Sequence, residues 1–253
     1  MSHNPLVSRI ELGLSEKSKQ VQEMFDRIAP RYDLLNRMLS ARQDVRWRNV
    51  LVAQLPQVPA GCGVLYDVAC GTGDVMFQVE RKRPDYTVFK GFDISARMLE
   101  CACQRAEAKQ KNFQFVQASA EKIPAESESA NAVSISFGLR NVDVRSNALA
   151  EFYRVLKPGG RLLVLEFFEA ESTFFAKIFD FYFKNVLPRI GGLFSDRAAY
   201  EYLPRSVATM PSAAEFNKML LTAGFAEVTE TRWLAGATRL FVAQKKMLPP
   251  FGR

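Results

Sequence analysis

From residue 64 onward the apolar positions fall in short runs, and the stretches between them carry apolar residues at helical spacing. That alternation predicts a parallel α/β sheet. Strands are expected near 64–69, 86–92, 113–117, 131–137 and 161–168, with helices near 74–83, 95–109 and 146–156, each opened by a turn signal. The stretch LKPGGRLLVLEFF reads as a helix end, a Pro-Gly-Gly turn and a wholly buried strand. A helix near 212–223 is followed by FAEVTETRWL and TRLFVAQKK, two strands parted by Ala235-Gly236 that read as a hairpin. No repeat or low-complexity tract interrupts the pattern.

Before residue 64 the period is helical. The first 14 residues look irregular; SEKSKQVQEMFDRIA then sets Val21, Met24, Phe25 and Ile28 on one face, with Ser15 as N-cap. Pro30 disfavours helix at Ala29, so a break is expected there. One further helical segment, DLLNRMLSARQDVRWRNVLVAQL, carries Leu34, Leu35, Met38, Leu39, Trp47, Val50 and Leu51. The chain therefore divides into an N-terminal helical cap, residues 1–60, and an α/β domain, residues 61–253. An insertion dense in aromatics, residues 170–205, follows the fifth strand. Lys177, Asp180, Lys184 and Arg189 interrupt it and rule it out as a membrane span.

Composition narrows the class only a little. The 253 residues carry a formal charge of +7, which suggests attraction to a polyanion but does not choose between nucleic acid, an anionic membrane surface and solubility. No secretory leader pattern opens the sequence and no run of about 18 uncharged apolar residues follows, so a cytosolic, non-spanning protein is expected. Cys62, Cys70, Cys101 and Cys103 have no disulfide or zinc spacing, and His3 is the single histidine; no metal site is expected.

The chemistry gathers at strand ends. LYDVACGTGD places Gly71 and Gly73 at the end of the first parallel strand, where an open α/β sheet binds its ligands and glycine lets backbone approach closely. A dinucleotide fingerprint would want a small residue where Met76 stands, which argues against pyrophosphate. Asp93 closes the second strand, where a carboxylate accepts bonds from ribose hydroxyls. The pair fits a nucleoside without a pyrophosphate. Simple turn glycines, and an aspartate that only caps the helix near Ser95, are the structural alternatives.

DxxxGxGD, an acid closing the second strand and QASAEKIP after the third together resemble the class I S-adenosylmethionine methyltransferases, over residues 64 to 245. The resemblance implies a Rossmann-like sheet with an antiparallel C-terminal hairpin. It also implies that Gly71, Thr72, Gly73, Asp93, Ser119 and Ala120 hold S-adenosylmethionine, with Ser136 placed to join them. Many members carry aspartate where this chain has Ser119, so the backbone of Ala120 is the alternative adenine contact.

A closer resemblance lies outside the cofactor loop. MFDRIAPRYDLLNRMLS, SFGLRNV, YRVLKPGGRLLVLEF and YEYLPRSV are similar to the ubiquinone/menaquinone biosynthesis C-methyltransferases, which act on a reduced quinone ring with a polyprenyl tail. That activity demands a phenol losing its proton, in full or in part, so that the ring carbon becomes nucleophilic. The resemblance assigns oxyanion stabilisation to Arg140, orientation of a ring oxygen to Asn141, and a place within reach of the phenol to Tyr32, in a segment that closes over the site. The structural alternatives are an ion pair of Arg140 with Asp143 or Asp33, plain packing for Tyr32 and a turn or cap role for Asn141. Relatives often carry His-Arg-Gly in the last strand, where this chain has Phe241-Val242-Ala243, so no imidazole base is expected.

The aromatic insertion suits a polyprenyl tail, each buried methylene contributing about 0.8 kcal/mol. Phe174, Phe175, Ile178, Phe179, Tyr182 and Phe183 would line a tunnel or lid, or dip into a lipid interface, or else pack on the core. The implied partners are a polyprenylated quinol and a membrane surface, touched peripherally at its inner face; a homodimer is left open. Nucleic acid is not expected as a partner. SFGLRN occupies the place of the Asn/Asp-Pro-Pro-aromatic turn of amino-group methylation, and every cysteine precedes residue 104. Another lipophilic small molecule is the remaining alternative substrate.

Overall fold

The computed structural model describes residues 7–9, 13–40, 42–171 and 197–247. These form one eight-stranded sheet in the order β1-β4-β3-β2-β5-β6-β8-β7. Its strands are β1 (Val7–Arg9), β2 (Gly63–Val68), β3 (Tyr86–Asp93), β4 (Gln114–Gln117), β5 (Ala130–Ser136), β6 (Leu156–Phe167), β7 (Phe225–Trp233) and β8 (Thr238–Lys245). All pairs are parallel except the two made by β8, which runs antiparallel to both β6 and β7. The Rossmann-like sheet with a reversed C-terminal hairpin is as expected.

Period-two alternation sends successive side chains to opposite faces. Leu163, Leu165, Leu240 and Val242 enter one core cluster, whereas Leu162, Val164, Phe241 and Ala243 enter the other. Apolar stripes on α3 (Gln43–Ala53), α4 (Asp74–Lys82) and α5 (Ala96–Ala108) cover the first face with Trp47, Leu51, Met76 and Leu99. On the second face α6 (Arg145–Val155) and α8 (Ala213–Thr222) bury Phe152, Phe216 and Leu220 completely. A sheet covered on both faces explains why its central strands are mostly apolar runs rather than alternating.

Several expectations need correction. Residues 7–9 are not irregular: they add a short parallel strand to β4, pairing Val7 with Phe115 and Arg9 with Gln117. The break expected at Ala29 is present: α1 (Glu16–Ile28) ends before it, and a 3-10 turn over Ala29–Arg31, with Pro30 inside, joins it to α2 (Tyr32–Leu39). The second helical segment is two helices, α2 and α3, parted where Arg42 adopts the left-handed conformation at φ 62. Strand β6 begins at Leu156, so Pro-Gly-Gly lies inside it, at a register shift between Ala130 and Ala132 of β5. Ser15 does cap α1, its hydroxyl accepting from the Ser18 N–H at 3.1 Å.

Residues 172–196, which include Phe174, Phe175, Ile178, Phe179, Tyr182 and Phe183, lie outside the described residues. The chain resumes in α7 (Arg197–Val207), which contains Pro204. No helix among the described residues is long and apolar enough to cross a membrane.

Candidate active site

A cavity of about 70 Å³ opens at the C-terminal ends of β2, β3, β4 and β5, where an open α/β sheet binds its ligands. Its roof is helical, with Ser18, Val21 and Phe25 of α1 and Tyr32 at the start of α2. Gly71, Asp93, Ser119 and Ala120 line its floor, and Ser136 and Asn141 stand on the wall after β5. The crevice exists because β2 and β5 both end on a left-handed residue, Ala69 at φ 50 and Phe137 at φ 59, so the two chains turn away side by side. Non-glycine residues are uncommon in that region, and such backbone strain gathers at functional sites.

Asp93 organises the floor. Its Oδ2 accepts the Gly71 N–H at 2.8 Å and its Oδ1 accepts the Ser95 N–H at 2.9 Å, so one carboxylate ties the glycine turn to the start of α5. Gly71 meets that geometry at φ 54. Burial pushes the Asp93 carboxyl up to about 6 against the lowering effect of these bonds. A cavity-facing carboxylate held in this state favours a ligand that donates further hydrogen bonds. The Ser136 hydroxyl is buried with no hydrogen-bond partner among the described residues, a second group waiting for a polar ligand. These two features fit a nucleoside bound across the floor.

Three other assigned residues stand elsewhere. Gly73, at φ 83, opens α4, and Thr72 turns away from the cavity to donate to Asp33 Oδ1 at 2.6 Å. Arg140 is 7 % exposed and does not line the cavity. Neither Asp143 nor Asp33 claims it. Its Nη1 donates to Glu166 Oε1 at 2.7 Å, and its backbone N–H donates to Glu166 Oε2 at 3.1 Å. Parallel pairing of Ser136 with Leu165 sets Glu166, which has no exposed surface, directly beside the turn that follows β5. The two aspartates are engaged otherwise, Asp143 by Ser15, Ser18 and Lys17, and Asp33 by Thr72 and Arg105.

Those contacts belong to three polar clasps, among the described residues, that hold the helical roof to the sheet. At one end the Ser18 hydroxyl donates to Asp143 Oδ2 at 2.6 Å. In the middle the Ser95 hydroxyl donates to Asp26 Oδ1. At the other end Asp33 takes the Thr72 hydroxyl and lies 3.3 Å from Arg105 Nη1, which also reaches Asp74 at 2.6 Å. Burial works upward on the Asp74 carboxyl, but Arg48 and Arg105 outweigh it and leave it below its ordinary value.

Tyr32 packs its ring against Gly71 and edge-on to Phe25, centroids 6.0 Å apart. Burial raises its phenol above the ordinary value, although a bond with Asn36 and the charge of Arg140 pull the other way. It is therefore no ready base. Two groups escaped sequence reasoning. Asp67, 1 % exposed, accepts from Ser134 at 2.7 Å and leaves Oδ2 without a partner; burial pushes it up to about 7. The signal was an acid inside the apolar run LYDV. Tyr202 of α7 donates to Asn141 Oδ1 at 2.9 Å. No cluster of histidine, cysteine or acidic residues fit for a metal occurs among the described residues.

A parallel sheet with a reversed hairpin strand, a glycine turn after its central strand and an acid closing the next define the class I S-adenosylmethionine-dependent methyltransferase architecture. The solved structures agree. A possible histamine N-methyltransferase of Thermotoga maritima superposes with TM-score 0.62 at 21 % identity, covering 89 % of this chain and 99 % of that one. The [4+2]-cyclase SpnF gives 0.64 at 16 % identity, covering 95 % and 100 %. Likeness at that level carries the fold and not the chemistry.

Sequence relatives go further. The model of the ubiE/COQ5 methyltransferase family matches residues 14–245, and the chain belongs to that family. It is 45 % identical over 223 residues to the ubiquinone/menaquinone biosynthesis C-methyltransferase UbiE of Syntrophotalea carbinolica, covering 88 % of this chain and 93 % of that one. With the demethylmenaquinone methyltransferase of Deinococcus radiodurans it shares 41 % over 236 residues, 91 % of this chain and 95 % of the relative.

Proposed function

We propose that this enzyme transfers a methyl group from S-adenosylmethionine to a ring carbon of a polyprenylated quinol, demethylmenaquinol, 2-methoxy-6-polyprenyl-1,4-benzoquinol or both. The observation that carries the reading is the match to this family along nearly the whole chain, joined to a single cavity with a carboxylate floor and an amide wall.

S-adenosylmethionine, when bound, supplies an electrophilic methyl group. The chain's residues supply the rest. Asp93 accepts the ribose hydroxyls, Gly71 admits the ligand close to the backbone, Ser119 and Ala120 border the adenine, and Ser136 offers its unpartnered hydroxyl; Thr72 and Gly73 shape the turn beneath. Asn141 holds a quinol oxygen from the opposite wall. Arg140 acts from behind it, fixing the turn and contributing charge that Glu166 largely balances, while Tyr32 closes the roof over the ring. Exclusion of water strengthens each of these polar contacts.

The helical segment within residues 1–60 works as the lid of the domain 61–253. Three polar clasps hold the part of it formed by α1 and α2, beside a small apolar cluster of Ile28, Ala29 and Met98, whereas α3 is fixed in the core by Trp47 and Leu51. Substrate with a polyprenyl tail resides in a bilayer, and the +7 charge supports peripheral approach to an anionic inner face, with the insertion 170–205 taking up the tail.

Incubation with S-adenosylmethionine and each reduced quinone, followed by mass analysis, tests the reading. A gain of one methyl group on at least one quinol is expected; methyl transfer to neither would overturn it.

A further inference from the structure

An amide side chain has two chemically opposite ends, and nothing in its shape decides which one faces a ligand. At Asn141 the surroundings decide. The Tyr202 hydroxyl donates to Oδ1 at 2.9 Å, on the side toward α7, so Oδ1 is engaged and Nδ2 is the end left for the cavity. Asn141 lines the cavity, so its free end is a donor. Burial raises the Tyr202 phenol above its ordinary value, with the charge of Arg140 opposing, so the hydroxyl stays protonated and able to donate at neutral pH.

The contact is anchored at both ends. Arg145 at the start of α6 donates to Arg140 O at 3.1 Å and to the Thr209 hydroxyl, just beyond α7, at 3.1 Å. Glu166 grips the same turn from β6. The turn Leu139–Asn141 is thus held from two sides by backbone-directed bonds, and Tyr202 supplies the remaining constraint, on the side chain itself.

We infer that Tyr202 is a positioning residue that locks the Asn141 amide with its NH₂ toward the acceptor. The cavity wall then presents a neutral donor, which selects an acceptor group, a phenolate or carbonyl oxygen on the ring, and strengthens as negative charge develops there. Tyr202 touches neither ligand in this scheme. The inference rests on the methyl-transfer reading for its acceptor, but the amide orientation stands apart from it.

Tyr202→Phe removes the hydroxyl and keeps the ring. In that variant S-adenosylmethionine affinity is expected to stay within about twofold of wild type while kcat falls about tenfold, the size of one lost oriented hydrogen bond. In an Asn141→Ala background the same substitution is expected to cost nothing further, because its effect runs through the missing amide. Equal turnover in Tyr202→Phe and wild type, or an undiminished second loss in the double variant, would overturn the proposal.

A readout without turnover separates the two claims. In protein labelled with ¹⁵N-asparagine, the Asn141 NH₂ signals, assigned by their loss in Asn141→Ala, should shift and broaden in Tyr202→Phe as the amide begins to flip. If the wild type methylates neither quinol, the function fails and these signals still judge Tyr202. Unchanged signals would sink the positioning role even in an active enzyme.

Discussion

Replacing Glu166 with glutamine changes one atom and removes one charge from a place with no solvent. The carboxylate accepts three hydrogen bonds: Oε1 takes Arg140 Nη1 at 2.7 Å and the Phe167 N–H at 2.8 Å, and Oε2 takes the Arg140 N–H at 3.1 Å. Glutamine has one acceptor oxygen, so its NH₂ must face one of these donors, and the guanidinium loses its counter-charge. Breaking a buried pair in this way costs about 3–5 kcal/mol. With a urea slope of about 3 kcal/mol per M, the unfolding midpoint should fall by about 1 M or somewhat more.

The control is Arg140→Met combined with Glu166→Gln. Removing both charges leaves only the backbone mismatch, so the double variant should recover more than half of the lost midpoint. Equilibrium urea unfolding followed by intrinsic fluorescence makes the comparison. A Glu166→Gln midpoint within about 0.3 M of wild type, or a double variant less stable than the single one, would refute the view that this pair is a structural clamp on the turn after β5.

Two further outcomes are expected. Asp93 titrates at about 6 without ligand, and hydroxyls donating to it favour the ionised form, so the bound state must titrate lower. S-adenosylmethionine affinity should therefore be full above about pH 6 and weaken by up to about tenfold per pH unit below it; calorimetry at pH 5 to 8 that shows a flat profile would contradict the role of Asp93. Gly138→Ala introduces no backbone strain, since φ is −115, but its Cβ would come within 2.4 Å of Ala69 Cβ. Overpacking of that kind costs about 1–3 kcal/mol, so the melting temperature should drop by several degrees; an unchanged melt would mean the two strand ends are free to separate.

The sheet was legible because strand and helix periods alternate cleanly and turn residues separate them. β1 was not, since three residues, Val7–Arg9, are too few to show a period. The split between α2 and α3 escaped notice because the conformation at Arg42 leaves no mark in residue type. Of the site residues named from the sequence, Gly71, Asp93, Ser119, Ala120, Ser136, Asn141 and Tyr32 border one cavity. The partner of Arg140 was missed because it depends on register between β5 and β6, a long-range property. The clue was present: Glu166 is a lone acid in the apolar run LLVLEFF, just as Asp67 is in LYDV. A charge in a strand buried on both faces must have a partner or a task. Thr72 is a motif residue whose side chain, in this structure, is engaged by Asp33 of the roof.

Chain order adds a consequence to the clasped roof. The segments that close the cavity precede the sheet they cover: β1 needs Phe115–Gln117 to pair with, and Ser15 and Ser18 need Asp143. At about 5–20 residues per second, β1 and the Ser15 clasp wait roughly 5–26 s for these partners, more than a hundred residues further on, whereas Asp26 and Asp33 meet Ser95 and Thr72 sooner. The apolar stripe of α1, Val21, Met24 and Ile28, has no cover until α5, which carries Met98, has followed. The glycine floor is therefore complete in sequence before the outer clasp of the roof can close on Asp143.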